Sequence, residues 1–147
     1  MFTRALAMML AFLFAVTIPT QNVQAEEMTY KVSEIYGVQP LTLLIDCEIV
    51  MAFSTDGLHI DFTTGCAGLA STVGIKDIKI QQKMWYGWKT VYTSEGCSEE
   101  ESSMCVMSIN YYGAVKDRTY RVLATHYADV DGYEEVVNDT GAFKFTY

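Results

Sequence analysis

The sequence predicts an all-β protein, an antiparallel β-sandwich of about seven strands, and three observations carry that expectation. Stretches in which apolar and polar residues alternate recur from residue 42 to the C-terminus, the signature of strands with one buried and one wet face. Turns containing Gly, Asp or Ser separate them. Beyond the N-terminal apolar run no segment has a helical period or a capping pattern.

The first 25 residues stand apart from that fold. Met1-Phe-Thr-Arg4 supplies one early positive charge, Ala5 to Ile18 is apolar, and Pro19 ends the run before a polar stretch closing on Val23-Gln-Ala25. This order describes a cleaved secretory signal peptide over residues 1–25, with the mature chain beginning at Glu26. An uncleaved anchor fits less well, because the run is shorter than the roughly 18 apolar residues that span a bilayer. No cysteine at the cut site could receive a lipid, and Phe143-Lys-Phe-Thr-Tyr147 carries neither sorting signal nor hydrophobic tail. Secretion into the extracellular space, free of the membrane after cleavage, is expected. Residues 26–41 read as an N-terminal extension and 42–147 as the sandwich domain, enough chain for one hydrophobic core.

Acidic residues outnumber basic ones by 18 to 10, for a net charge of −8. Such a surface repels nucleic acid and anionic membranes. Counterions, cationic partners or solubility suit it better, solubility being the plainest use of the charge; the extracellular protein or glycan expected as a partner is read from the aromatic residues below. Cys47, Cys66, Cys97 and Cys105 are an even set in an exported chain, which favours two disulfides among three connectivities. A zinc site is disfavoured, since no C-x-x-C or Cys/His cluster is present.

Within the domain, Asp56-Gly57 separates two alternating runs and signals a two-residue hairpin turn. With those residues as the turn, Thr55 faces Leu58. One face then carries Cys47, Ile49, Met51 and Phe53 opposite Cys66, Thr64, Phe62 and Ile60. The other carries Glu48, Val50, Ala52 and Ser54 opposite Gly65, Thr63, Asp61 and His59. Apolar and polar faces separate cleanly, and a slip of one residue would mix them. The same register opposes Cys47 to Cys66 within disulfide reach. Cys97 then pairs with Cys105 by elimination, closing a loop around Ser98-Glu-Glu-Glu-Ser102 that reads as a solvated tip.

Farther on, Ile78, Ile80, Gln82 and Met84 alternate with Lys79, Gln81 and Lys83. A turn at Trp85-Tyr86-Gly87 leads into the β-rich Trp88-Lys-Thr-Val-Tyr92, and Met104 to Tyr112 is a further run. Tyr120, Val122, Ala124 and His126 alternate with Arg121, Leu123, Thr125 and Tyr127. Beyond a turn at Asp131-Gly132, Tyr133 to Val137 and Ala142 to Tyr147 supply the closing strands.

Tyr120-Arg-Val122-Leu-Ala124-Thr-His126 resembles the Y-x-V-x-A-x-N strand of fibronectin type III domains, and Trp88-Lys-Thr-Val91 resembles the tryptophan-bearing strand of the same immunoglobulin-like fold. The resemblance covers residues 76–137. It implies that Tyr120 is a corner tyrosine, its hydroxyl bonded back to the chain upstream, with Val122 and Ala124 in the core and Trp88 structural. The family's usual tryptophan on the second strand is missing from Leu58 to Cys66, and Val122 stands where an immunoglobulin domain has cysteine. The same segments are similar to small exported proteins of Gram-positive gut bacteria, a similarity that transfers a fold and an address without an activity.

For chemistry, His126 is the obvious base, with Asp129, Asp131, Glu134 and Glu135 close by in sequence. Sharing a face with Tyr120, Val122 and Ala124, it reads first as the edge of a core, and His59 as a residue of a polar face. An extracellular hydrolase using His126 with Asp129 or Asp131 is the alternative function. Paired carboxylates for glycoside hydrolysis cannot be judged from sequence, because their spacing is spatial. A calcium loop centred on Gly132 finds Asp129 and Asp131 in place, but Tyr127 and Asn138 occupy its end positions. That leaves a weak calcium-binding module as a third reading, with Glu99 to Glu101 as another acidic tip. No cofactor is expected. Aromatic residues make up 13% of the chain, and Trp85 and Tyr86, at a hairpin tip, are the candidate binding residues. The leading expectation is a non-enzymatic binding or structural module.

Overall fold

The computed structural model describes the backbone of residues 28–32 and the whole of residues 43–147. The expected signal peptide and most of the N-terminal extension lie outside these residues. Seven strands follow in order: β1 (Met28–Val32), β2 (Leu44–Ser54), β3 (Gly57–Met84), β4 (Gly87–Tyr111), β5 (Thr119–Asp129), β6 (Tyr133–Asp139) and β7 (Phe143–Lys144). All pairings are antiparallel, and the described residues contain no helix. The strands form one sheet curled into a half-barrel, compatible with a β-sandwich.

The curl comes from β3, a strand of 28 residues that the alternating pattern suggests as two. Its first part, 57–66, pairs with β2 on one edge, while its later part, 72–82, pairs on that same edge with β5. The other edge belongs to β4 throughout, with a break in register between Gly65 and Ala70 where the long hairpin folds over. On β4 the fold-over includes Glu101 with φ 48°. Two arms result. One holds β1, β2, the start of β3 and the end of β4; the other holds the start of β4, the end of β3, β5, β6 and β7.

Between the arms lies the core. Ile49, Met51, Phe53, Leu58, Ile60 and Phe62 meet Val73, Ile75, Ile78, Ile80, Tyr120, Val122 and Ala124, all buried. Phe53 bridges the arms by stacking on Phe143 at 5.3 Å and meeting Phe145 edge-on at 6.0 Å. Polar cross-links reinforce the closure: Asn138 Nδ2 donates to the Cys47 carbonyl at 2.9 Å, and Glu134 Oε2 accepts from the Leu43 and Leu44 amides at 2.9 and 2.8 Å.

The faces of the first hairpin are as the alternation predicts, but its register is not. Ser54 pairs with Gly57, leaving Thr55-Asp56 as the turn, so Phe53 faces Leu58 and Cys47 faces Thr64. A type I′ turn at Asp56-Gly57 would need positive φ at both residues. Asp56 does not adopt it, and Gly57 takes φ 140° just after the turn. The slip is by two residues, which preserves every face but moves Cys66 opposite Leu44, past an irregularity in β2. The opposed Cys47–Cys66 pair expected from sequence is therefore absent, and all four cysteines are free thiols.

Candidate functional site

The β3–β4 hairpin ends in a turn of the same design as the first. Met84 pairs with Gly87, Trp85-Tyr86 forms the turn, and Gly87 takes φ 132°. Nothing packs over this tip: Trp85 is 94% exposed and Tyr86 59%, their rings edge-to-face at 5.2 Å. A large indole left in water at a hairpin tip is the most conspicuous unsatisfied apolar group among the described residues, because Trp and Tyr gain most from desolvation by a partner.

Below the tip, the residues that alternate with the core positions form an outer face on the second arm. Trp88, opposite Lys83, lies half-buried here and outside the core cluster. The Lys83 ammonium sits 5.0 Å and the Arg121 guanidinium 4.5 Å from its ring centroid. Arg121 is held in place by donating to Gln81 Oε1 at 2.8 Å and Asp139 Oδ2 at 3.2 Å. Farther along, Tyr127 and Tyr133 stack at 6.0 Å under Lys76. Lys76 also donates to Glu135 and to the Tyr133 hydroxyl at 2.7 and 2.9 Å. These bonds raise the lysine's pKa, Glu135 acting most strongly, and Lys76 in turn lowers that of Glu135.

Between the two aromatic–cation groups the face is hollow. Leu123, Val137, Asp139 and Gly141 line a cleft of about 430 Å³, and Asp77, Lys79, Leu123, Ala124, Thr125 and Val137 line an adjoining one of about 330 Å³. The cause is a bulge: β3–β5 pairing skips from Lys76 to Lys79, and Asp77 adopts φ 54°. Bulges bend a strand and re-aim its side chains, which opens the floor between β3 and β5. An apolar floor of Leu123 and Val137 with charged walls is the usual composition of a small binding cleft.

His126 belongs to a different place. It is fully buried, and its Nδ1 lies 2.7 Å from Thr64 Oγ1 in the facing arm. Thr64 donates its hydroxyl hydrogen to the Gly74 carbonyl, so the imidazole supplies the proton to Thr64 from Nδ1. Nε2 is then a bare acceptor, and it has no partner. Burial pushes the His126 pKa down to about 4, so the ring is neutral in ordinary buffers. No hydrogen bond or ion pair among the described residues joins it to Asp129 or Asp131. Asp129 instead accepts from the Gly132 amide at 3.2 Å, at the turn where Asp131 takes φ 56°. His59 lies exposed, between Asn110 at 2.7 Å and Asp61 at 3.1 Å.

Tyr120 is fully buried, and its hydroxyl accepts from the Val115 amide at 2.9 Å. Among the described residues no group of His, Cys, Asp or Glu is arranged to hold a metal ion. Arg121, Lys76, Leu123 and Val137 were not singled out from sequence. Arg121 and Leu123 carry a signal all the same, since with Tyr127 they are the positions that alternate with the core residues of β5, and Lys76 and Val137 stand next to buried Ile75 and Val136 on β3 and β6. Thr64 carries its signal too, since alternation sets it on the inward face with Phe62 and Cys66, whereas Asn138 stands out in sequence only as the end of a calcium loop and its burial is missed.

No family model, curated protein or solved structure matches the chain. None of these comparisons supports the likeness to fibronectin type III domains or to exported proteins of Gram-positive gut bacteria that the sequence suggests.

Proposed function

We propose that the protein is a secreted, non-enzymatic recognition module on an immunoglobulin-like sandwich, presenting Trp85 and Tyr86 to an extracellular protein or glycan. The 94% exposure of Trp85 at the tip of the β3–β4 hairpin carries this reading. The outer face of the same arm, with its cleft and the cations around Trp88, extends the contact surface beyond the tip.

Strand order supports the immunoglobulin-like assignment. Such sandwiches group strands A, B and E in one layer and C, F and G in the other. Reading β2 as A, the two parts of β3 as B and C, the end of β4 as E, and β5 and β6 as F and G gives that grouping. The bond from Val115 to the Tyr120 hydroxyl sits where strand F would begin. The leader-like residues 1–25 support export.

Glycan-array and pull-down screens on the wild type and on a Trp85→Ala/Tyr86→Ala variant test the contact. Ligands retained by the wild type are expected to be lost by the variant at unchanged Tm. Full retention by the variant would remove the tip from the reading. N-terminal sequencing of exported protein is expected to begin at Glu26, and an intact Met1 on the product would remove the cleavage.

A further inference from the structure

The fold-over that joins the two arms also gathers sulfur. Cys97, facing Ile75 in one arm, and Cys105, facing Thr64 in the other, are eight positions apart on β4. The reversal of the strand between them brings their Sγ atoms to 2.8 Å. Cys66 lies at the same bend, its thiol donating to the Ser103 carbonyl at 3.4 Å and the Gly68 carbonyl at 3.2 Å. Cys47 is elsewhere, buried opposite Thr64 on the β2 side.

We propose that Cys97 and Cys105 are oxidised to a disulfide by an external thiol–disulfide reagent, and that this bond is a single redox staple across the fold-over while Cys47 and Cys66 remain thiols. Two unbonded sulfurs in ordinary contact sit farther apart than 2.8 Å, whereas a bond needs about 2.05 Å, so closure asks for a shift of less than an ångström. Cys47 and Cys66 are placed differently. Cys66 is opposite Leu44 rather than Cys47, and diagonal partners on neighbouring strands lie about 7–8 Å apart, beyond what a disulfide spans.

The order of events follows from exposure. Cys97 is partly accessible and Cys105 is buried, so the Cys97 thiolate attacks one sulfur of the reagent's disulfide and expels the other as a thiolate. Cys105 then loses its proton and attacks the Cys97 sulfur, displacing the second half of the reagent. One Sγ–Sγ bond forms and one reagent disulfide breaks. The two protein thiols give up two electrons and two protons, and the reagent is reduced to two thiols. Burial and the neighbouring Cys97 push the Cys105 pKa up to about 12. Once Cys97 is in the mixed disulfide it carries no charge, which lifts part of that restraint before the second attack.

The test uses the full chain treated with oxidised glutathione, unfolded in the presence of an alkylating agent and digested without reduction. Mass spectrometry is expected to find one crosslinked peptide joining Cys97 to Cys105, with Cys47 and Cys66 alkylated. Reduction is expected to lower Tm by roughly 5–10 °C. Cys97→Ser is expected to abolish that drop and Cys66→Ser to keep it. Four alkylated cysteines after oxidation, or a crosslink involving Cys47 or Cys66, would overturn the proposal.

Discussion

The turns at residues 55–56 and 85–86 share one backbone design and differ in what surrounds them. Each is a two-residue turn followed by a glycine at large positive φ, 140° at Gly57 and 132° at Gly87. A Cβ on Gly57 would lie 2.2 Å from the Tyr111 carbonyl oxygen, whereas a Cβ on Gly87 would meet nothing within 4 Å. The first turn is built into the sheet and the second projects from it. Equal turn chemistry therefore has two outcomes: one turn closes the interior, and the other holds aromatic side chains out in solvent.

Substituting the two glycines separates these ends most sharply. Gly57→Ala combines unfavourable φ with a backbone clash, and a loss of about 3–5 kcal/mol is expected in urea denaturation. Gly87→Ala carries the φ strain alone, and about 1–2 kcal/mol is expected. Equal losses would erase the distinction.

The interior that the first hairpin closes should also respond to acid through His126. Its folded pKa, about 4, lies below the usual histidine value of about 6.5. Above pH 6.5 both states are neutral and stability is indifferent to this group. As pH falls from about 6.5 to 4 the unfolded chain takes up a proton that the folded chain refuses. Stability is expected to drop by about 3 kcal/mol over that window, and a denaturation midpoint that stays flat from pH 7 to 4.5 would show an imidazole that is not sealed in.

Smaller effects come next. Tyr120→Phe keeps the ring and strands the Val115 amide without its acceptor, for an expected loss of about 1–2 kcal/mol. Trp85→Ala, on the open turn, is expected to leave stability within about 0.5 kcal/mol. A larger drop would mean that the indole packs on the protein rather than waiting for a partner.

The contrast also separates what could be read from the chain from what could not. Strand faces were legible because a period of two survives a register slip of two: Ile49, Met51, Phe53, Ile60 and Phe62 are inward in either alignment. Cysteine pairing was not, because the same slip changes every opposite partner. The Cys97–Cys105 disulfide expected from sequence is not formed either: the two sulfurs lie 2.8 Å apart, unbonded. Continuity of β3 through residues 67–77 was hidden by small and polar residues around Gly68 and Gly74, which suggest an interruption rather than a bend. Exposure of Trp85 followed from its place in a turn. The cleft did not, since it depends on a bulge at Asp77 that becomes visible only when β5 is laid against β3.

Because β3 and β4 each run through both arms, no point along the chain divides one arm from the other. Losing either arm strips the remaining one of its long central strands, so the domain should unfold as one cooperative unit. A ligand held at the exposed tip then stabilises the whole domain, by an amount set by its concentration relative to Kd. A thermal-shift screen of candidate glycans and proteins would thus register binding at Trp85 as a rise in the melting of residues at the far end of the sheet.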